Sequence, residues 1–279
     1  MLGKLLKYEF KDVNRLMIPL HLGLIGITII GRFYIQMALN RRASGIWTGF
    51  ADASLMMFYI IALVAIALVT SIYLLIIRFR KNLFTDEGYL MHTLPVSVHE
   101  QIWGKLIVST VWITIDMILI LLSILVMFLN QDLIATIFDE IPTLFYSFRH
   151  DVGVSPVVAV LVWIPLLFIS EMAAALIYYM CITIGHSFHT HKILYSVGIY
   201  VGVNIFSNVV TGILATIAGT SSGRFLFSGF SVINLLSTNV DGAGMFWWST
   251  VITLITTLVQ GGVCYWLTAY FMKNQLNLE

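Results

Sequence analysis

Six stretches of the chain are almost entirely apolar, and short segments that carry most of the charge separate them. A helix needs about 20 predominantly apolar residues to cross the hydrocarbon core of a membrane. The pattern therefore predicts six membrane-spanning helices, over residues 17–39, 55–77, 107–129, 157–184, 193–218 and 246–272. No small-residue cleavage site follows the first stretch, so we expect it to be a membrane span rather than a signal peptide.

Residues 1–16 have the spacing of an amphipathic helix. At 100° per residue, apolar side chains fill one arc and basic side chains fill the opposite side. The apolar arc holds Leu2, Leu5, Leu6, Phe10, Val13 and Leu16, and the basic side holds Lys4, Lys7, Lys11 and Arg15. We expect an interfacial helix whose basic side meets anionic headgroups. Glu9 falls inside the apolar arc, either as a tolerated exception or because it pairs with a group on a protein partner.

Composition narrows the class of protein further. Apolar residues make up 59% of the 279 residues and charged residues 10%, against about 45–50% and about 25% in soluble domains. A soluble fold of this size cannot keep that much apolar surface away from water. A soluble enzyme, a nucleic-acid-binding domain and a disordered chain are therefore excluded. We expect one all-α transmembrane domain over residues 1–279.

The positions of lysine and arginine predict how the chain is oriented. With the amino terminus in the cytoplasm, ten of the 15 basic residues lie in cytoplasmic segments, the side that positive residues favour. We therefore expect a multi-pass protein of the plasma membrane with both termini in the cytoplasm.

The segment between the second and third spans has a pattern of its own. Thr85 can cap a short helix whose first turn carries Asp86 and Glu87, which suits the positive end of a helix dipole. Pro95 ends that helix. The sequence Ser97-Val98-His99-Glu100 is a capping box that starts a new helix leading into the third span. A short cytoplasmic helix of this kind is suited to contact with a soluble partner.

Three motifs carry a resemblance to a known family. The chain opens with Met-Leu-Gly-Lys-Leu-Leu-Lys-Tyr-Glu-Phe-Lys, and the loop contains Asp86-Glu87-Gly88-Tyr89-Leu90 and then Thr93-Leu94-Pro95-Val96-Ser97. These motifs resemble permease subunits of bacterial type-2 ATP-binding cassette (ABC) transporters, particularly those common in Firmicutes. The resemblance covers the whole topology, but its sequence-specific part is limited to the amino terminus and this loop.

The resemblance implies that the loop is a coupling helix that docks into a separate ATPase subunit. The residues it assigns to that contact are Thr85, Asp86, Glu87, Gly88, Tyr89, Leu90 and Leu94, and those of the interfacial helix are Lys4, Lys7, Glu9, Phe10 and Lys11. It also implies a second permease, identical or paralogous, and places ATP and Mg²⁺ on the ATPase, so that this chain binds no cofactor. The expected activity is export of amphipathic or hydrophobic compounds such as peptides, antibiotics or lipids across a bacterial membrane.

The sequence lacks the motifs of an ATPase. Gly3-Lys4 and Gly104-Lys105 have neither the upstream glycine nor the following Ser or Thr of a phosphate-binding loop. We therefore expect this chain not to be an enzyme and its energy to come from the partner. A secondary transporter or channel is the alternative, although repeat symmetry and paired broken helices are not visible. A membrane-embedded enzyme is a third class, but HExxH and GxSxG are absent from the sequence.

Three charged residues fall within the predicted spans: Arg32, Asp116 and Glu171. Such residues usually face the interior of a bundle, either as structural pairs or as the lining of a pathway. Helical rise from the cytoplasmic side places Arg32 at a depth of about 22 Å and Glu171 at about 20 Å. We therefore expect these two residues to form an interhelical ion pair.

The remaining candidates for chemistry are histidines and cysteines. His186, His189 and His191 lie in one short loop, but neither Cys nor a carboxylate accompanies them there, so a partner-facing or interfacial loop is favoured over a metal site. Cys181 and Cys264 lie in apolar runs and are expected to act as packing residues.

Overall fold

The computed structural model of the chain describes residues 2–39, 46–85, 88, 96–128, 131–188, 190–217 and 242–274. Nearly all of these residues are helical, and none of them lies in a strand. Within these ranges, six helices are long and apolar enough to cross a membrane. The predicted class is confirmed: the chain is an all-α, multi-pass membrane protein.

The helices overlap the six predicted spans and extend beyond them. In chain order they are α1 (Leu2–Leu39), α2 (Ile46–Ser71), a π-helical segment (Ile72–Ile77), α3 (Arg78–Phe84), α4 (Val98–Phe128), α5 (Gln131–Val152), α6 (Pro156–His186), α7 (Lys192–Ile217) and α8 (Gly242–Asn274).

Helix α1 differs from the expected arrangement at the amino terminus. Residues 2–16 are not a separate helix, because they form the first part of a single helix of 38 residues. Within this part Val13 is fully buried, and it packs with Met17, Leu74 and Val108. The apolar arc is therefore in contact with other helices of the chain at this point.

The first of two compact units contains α1, α2, the π segment and α4. Its second apolar cluster is formed by Leu24, Tyr59, Leu63, Ile66 and Met127, which come from α1, α2 and α4. Hydrogen bonds to α4 join Tyr59 of α2 to Ser123 and the Leu74 carbonyl of the π segment to Ser109. Partner numbers rise on one helix as they fall on the other, so these two helices are antiparallel.

The π-helical segment changes which side chains of the second span face the protein. A π turn holds more residues than an α turn, so the faces of the helix before and after the segment are out of register. The residue that directly follows the segment is Arg78, and its side chain is buried. The charged side chain of Arg78, at the end of this apolar span, therefore lies in the protein interior instead of in solvent.

The second compact unit contains α6, α7, α8 and most of α5. Helices α6 and α8 approach closely at small residues: a Cβ added to Gly261 would lie 3.3 Å from the Cβ of Ala173. Contacts between small residues are a common basis of helix packing in membranes. Helix α6 begins at Pro156, where the Ser155 hydroxyl accepts a hydrogen bond from the Val158 backbone N–H at 3.4 Å.

Candidate functional site

The capping box before the third span is present in the structure. Glu100 accepts a hydrogen bond from the Ser97 backbone N–H at 3.1 Å, and the Glu100 backbone N–H donates to the Ser97 hydroxyl at 3.3 Å. These reciprocal bonds satisfy two backbone donors at the start of α4. The predicted helix start is therefore confirmed.

The expected coupling segment is described only at Thr85 and Gly88. Asp86, Glu87, Tyr89, Leu90 and Leu94 lie outside the described residues. Thr85 is exposed, whereas Gly88 is buried and its N–H donates to the Thr85 carbonyl at 2.7 Å. A Cβ at position 88 would lie 2.5 Å from the Leu83 carbonyl oxygen. The chain thus turns tightly after α3, at a place that has no room for a side chain.

Four charged residues from α1, α3 and α4 come together in the first unit, and three of them are buried. We call Glu9, Asp12, Arg78 and Lys105 the ion cluster. Glu9 accepts hydrogen bonds from the guanidinium of Arg78 and, at 3.2 Å, from Nζ of Lys105. Arg78 also donates to the Glu9 backbone carbonyl at 3.0 Å, and its Nε lies 3.5 Å from a carboxylate oxygen of Asp12.

Because most of the ion cluster is buried, the balance between its positive and negative charges matters for the stability of the fold. The side chains of Glu9, Arg78 and Lys105 are at most 6% exposed, whereas that of Asp12 is 62% exposed. Two buried cations thus share one buried carboxylate. Removing one partner of a buried ion pair is strongly destabilising because it leaves an uncompensated charge. Glu9 therefore holds α1, α3 and α4 together at this end of the first unit.

The ion cluster explains why a carboxylate lies in the apolar arc of α1. Glu9 pairs with Arg78 and Lys105 of the same chain. It is therefore not a tolerated exception, and its pairing groups do not have to come from a partner protein. The three neighbouring lysines, Lys4, Lys7 and Lys11, are exposed, and Phe10 packs against the cluster of Val13 and Met17. Arg78 and Lys105, which lie in segments predicted to be cytoplasmic, are the buried partners of Glu9.

A second buried polar pair lies farther along α1. Nε2 of His21 is 3.0 Å from a carboxylate oxygen of Asp116, and Nδ1 of His21 is 2.7 Å from the Met17 carbonyl. The imidazole also stacks on Trp112, with 5.4 Å between ring centroids. Asp116, one of the three charges within the predicted spans, thus pairs with His21, a residue for which the sequence carries no local signal.

Further hydrogen bonds join α1 and α2 to α4. The Thr28 and Ser123 hydroxyls are 2.6 Å apart, and Ser123 is equally close to the Tyr59 hydroxyl. Arg32 donates to the Met127 carbonyl at 3.4 Å. Glu171 lies in the second unit and is half-buried, and its pairing with Arg32 stays a prediction.

Helical rise gives the spacing of these groups along α1. At 1.5 Å per residue, His21 lies about 18 Å from Glu9 and Arg32 about 34 Å from it. The hydrocarbon core of a bilayer is about 30 Å thick. The His21–Asp116 pair and Arg32 therefore both lie on the part of α1 that is long and apolar enough to cross a membrane.

The three histidines of the predicted loop do not form one site in the described part of the chain. His186 is buried in α6, where its ring packs on Phe84 at 4.8 Å, and His189 lies outside the described residues. His191 is exposed and has a positive φ of 51°. Among the residues that the structure describes, no group of three potential ligands is placed to hold a metal ion.

Comparison of the chain with protein-family models, with curated proteins and with solved structures finds no match. The function is therefore inferred from the motifs and contacts of this chain itself.

Proposed function

We propose that this chain is the membrane-spanning permease subunit of a bacterial ABC transporter and that a separate ATPase subunit drives it. The protein exports amphipathic or hydrophobic compounds across the plasma membrane, with both termini in the cytoplasm. Support comes from the six apolar helices and from the amino-terminal and loop motifs. The observation that carries the proposal is the continuity of α3, which begins at Arg78 of the ion cluster and ends one residue before Thr85.

Helix α3 connects the ion cluster to the coupling segment. It starts at Arg78, inside the cluster, and ends at Phe84, one residue before Thr85. A displacement of the loop by an ATPase would therefore pull on Arg78. Because Glu9 and Lys105 are bonded to the same cluster, the displacement would reach α1 and α4, two of the helices that cross the membrane.

The test is ATP turnover by the chain reconstituted with the ATPase that is encoded beside it. Glu87→Arg combined with Tyr89→Ala should reduce the turnover that the permease stimulates, while insertion into the membrane stays intact. Both positions belong to the expected docking surface. Glu140→Arg with Tyr146→Ala is a matched control, because it makes the same two changes at side chains that are exposed on α5. Unchanged turnover in the loop variant would contradict the coupling role.

A proton-coupled secondary transporter is the second candidate, and the pair of His21 and Asp116 favours it. Ionisable groups within membrane-spanning segments often form proton relays. The two functions differ in their energy source. Uptake or release that follows an imposed proton gradient in vesicles without ATPase would support this alternative, and dependence on ATP would support the ABC transporter.

A further inference from the structure

Helix α5 has an apolar side and a polar side, and it is not among the six helices that are apolar enough to cross a membrane. At 100° per residue, its apolar side chains fall within one arc. The apolar side of α5 holds Ile134, Ile141, Leu144, Phe145, Phe148 and Val152, and the polar side holds Asp139, Thr143, Ser147 and His150. This pattern is typical of a helix that lies between water and an apolar surface.

The middle of the apolar side of α5 is open. Ile141 is 38% exposed, Leu144 is 62% exposed and Phe145 is 47% exposed. Contiguous exposed apolar side chains mark a surface that contacts a protein, a ligand or a membrane. The described residues therefore leave this part of the helix for a partner outside them.

The carboxyl-terminal end of α5 is, in contrast, held within the second unit. Val152 is buried in a cluster with Val154, Ala159 and Phe246, and Phe148 packs against that cluster. Ala159 lies in the first turn of α6 and Phe246 lies near the start of α8. Both of those helices are apolar enough to cross a membrane. The end of α5 thus lies where two membrane spans begin.

Gly153 fixes the turn between α5 and α6. Its φ of 71° is left-handed, and its N–H donates to the Arg149 carbonyl at 3.0 Å, a bond that commonly closes a helix at glycine. Helix α6 begins three residues later, at Pro156. A Cβ added to Gly153 would lie 2.9 Å from the Cβ of Ala243 in α8. The turn is therefore packed directly against α8.

Exposed tryptophans indicate what surrounds this end of the helix. Phe246, which packs with Val152, is followed by Trp247 and Trp248, which are 45% and 64% exposed. Tryptophan is enriched where a membrane meets water. On α6, Val157 is already 57% exposed and belongs to a membrane span. The apolar side of α5 is thus continuous with the lipid-facing surfaces of α6 and α8.

We infer that α5 lies in the plane of the membrane–water interface, with its apolar side inserted among lipids and its polar side in water. Amphipathic helices bind interfaces through buried apolar area and through attraction of basic residues to anionic lipids. Helix α5 contains four acidic residues and a single arginine, so the apolar area carries the contact. The partner is therefore a zwitterionic lipid surface, and the contact does not depend on an ATPase.

The test uses the full chain, with Cys181 and Cys264 replaced by alanine, in phosphatidylcholine vesicles. Ile141→Cys on the apolar side carries a fluorophore, and Thr143→Cys is the matched control. The control is exposed, and it lies two residues farther on, about 200° around the helix. A nitroxide on the lipid acyl chain should quench position 141 several-fold more than position 143, and aqueous iodide should do the reverse. Equal thermal midpoints of the two labelled chains would show that both are folded.

A third position tests whether the helix lies flat. Phe145→Cys is on the same side as position 141 and about 6 Å farther along the helix. Nitroxides at two acyl-chain depths should place both fluorophores at one depth. A helix that stands along the membrane normal would separate the two depths by about 6 Å and would contradict the inference.

Two further results would overturn it. If iodide quenched positions 141 and 143 equally, the apolar side of α5 would face water. If position 141 were protected from both quenchers, protein would cover it, either another segment of this chain or a second copy. None of these measurements involves ATP, so their failure is distinguishable from a failure of the proposed function.

Discussion

The imidazole of His21 lies 3.0 Å from the carboxylate of Asp116, and 95 residues separate the two positions. The same separation recurs between Thr28 and Ser123 and between Arg32 and Met127. A constant separation means that α1 and α4 run in the same direction in one register. Two spans of a polytopic chain are parallel when one other span lies between them, and α2 is that span.

The register predicts a specific cross-link. With Cys181 and Cys264 replaced by alanine, Thr28→Cys and Ser123→Cys should form a disulfide on mild oxidation, because the native hydroxyls are 2.6 Å apart. Mass spectrometry of proteolytic peptides would detect it. Thr28→Cys with Thr114→Cys is the control. Position 114 lies nine residues before 123, about 13.5 Å along the helix, which is beyond disulfide reach. A cross-link of the control pair alone would contradict the register.

The pair of His21 and Asp116 should be coupled in stability. His21→Leu and Asp116→Leu each leave a buried polar group without its partner, which costs about 1–3 kcal/mol or more for a charged group. The double variant removes both polar groups, so it should regain much of the loss. Thermal unfolding of the purified chain in detergent would measure this. Losses that simply add would contradict the pairing.

Glu9→Gln should be among the more destabilising single substitutions in the first unit. It leaves Arg78 and Lys105 buried together with no buried carboxylate, and breaking a buried pair costs about 3–5 kcal/mol. Lys105→Met in the same chain should restore part of the stability. The yield and thermal midpoint of the detergent-purified chain are the readouts.

Asp12→Asn is the control for the ion cluster. Its side chain is 62% exposed and lies 3.5 Å from Arg78, and exposed pairs contribute about 1 kcal/mol or less. The two substitutions make the same chemical change from acid to amide. If Asp12→Asn destabilised the chain as much as Glu9→Gln, burial would not be the reason for the role of Glu9.

Gly88→Ala should impair coupling without preventing membrane insertion. The added Cβ would lie 2.5 Å from the Leu83 carbonyl oxygen, so the turn would have to open. ATP turnover with the ATPase should fall several-fold. Gly49→Ala is the control, because nothing lies within 4 Å of its added Cβ. Normal turnover in Gly88→Ala would show that the tight turn is unnecessary for coupling.

The spans and the start of α4 could be predicted because they depend on local signals. Apolar length specifies a membrane helix, and Ser97 and Glu100 are three residues apart in the sequence. The continuity of the amino-terminal helix with the first span could not be predicted, because periodicity does not reveal where a helix ends. Residues 2–16 lead straight into the first span, and no breaking signal separates them.

The partners of Glu9 could not be predicted in the same way. Lys105 is 96 residues away from Glu9 and Arg78 is 69 residues away. The sequence showed only that a carboxylate in an apolar arc needs a pairing group. The π-helical segment before Arg78 rotates the helix face, so a regular 3.6-residue pattern does not place that arginine inside the protein. His21 carried no local signal beyond being a polar residue in an apolar run.

The proposed transporter role is tested most directly by asking whether this chain forms one functional complex with an ATPase from a neighbouring reading frame. Both would be co-expressed, purified through a tag on this chain, and reconstituted in lipid vesicles, and ATP turnover would be measured against the ATPase alone. The account predicts a stable complex whose turnover exceeds that of the isolated ATPase and falls in the chain that carries Glu87→Arg and Tyr89→Ala. An ATPase that purifies separately and hydrolyses ATP equally fast with and without this chain would contradict it.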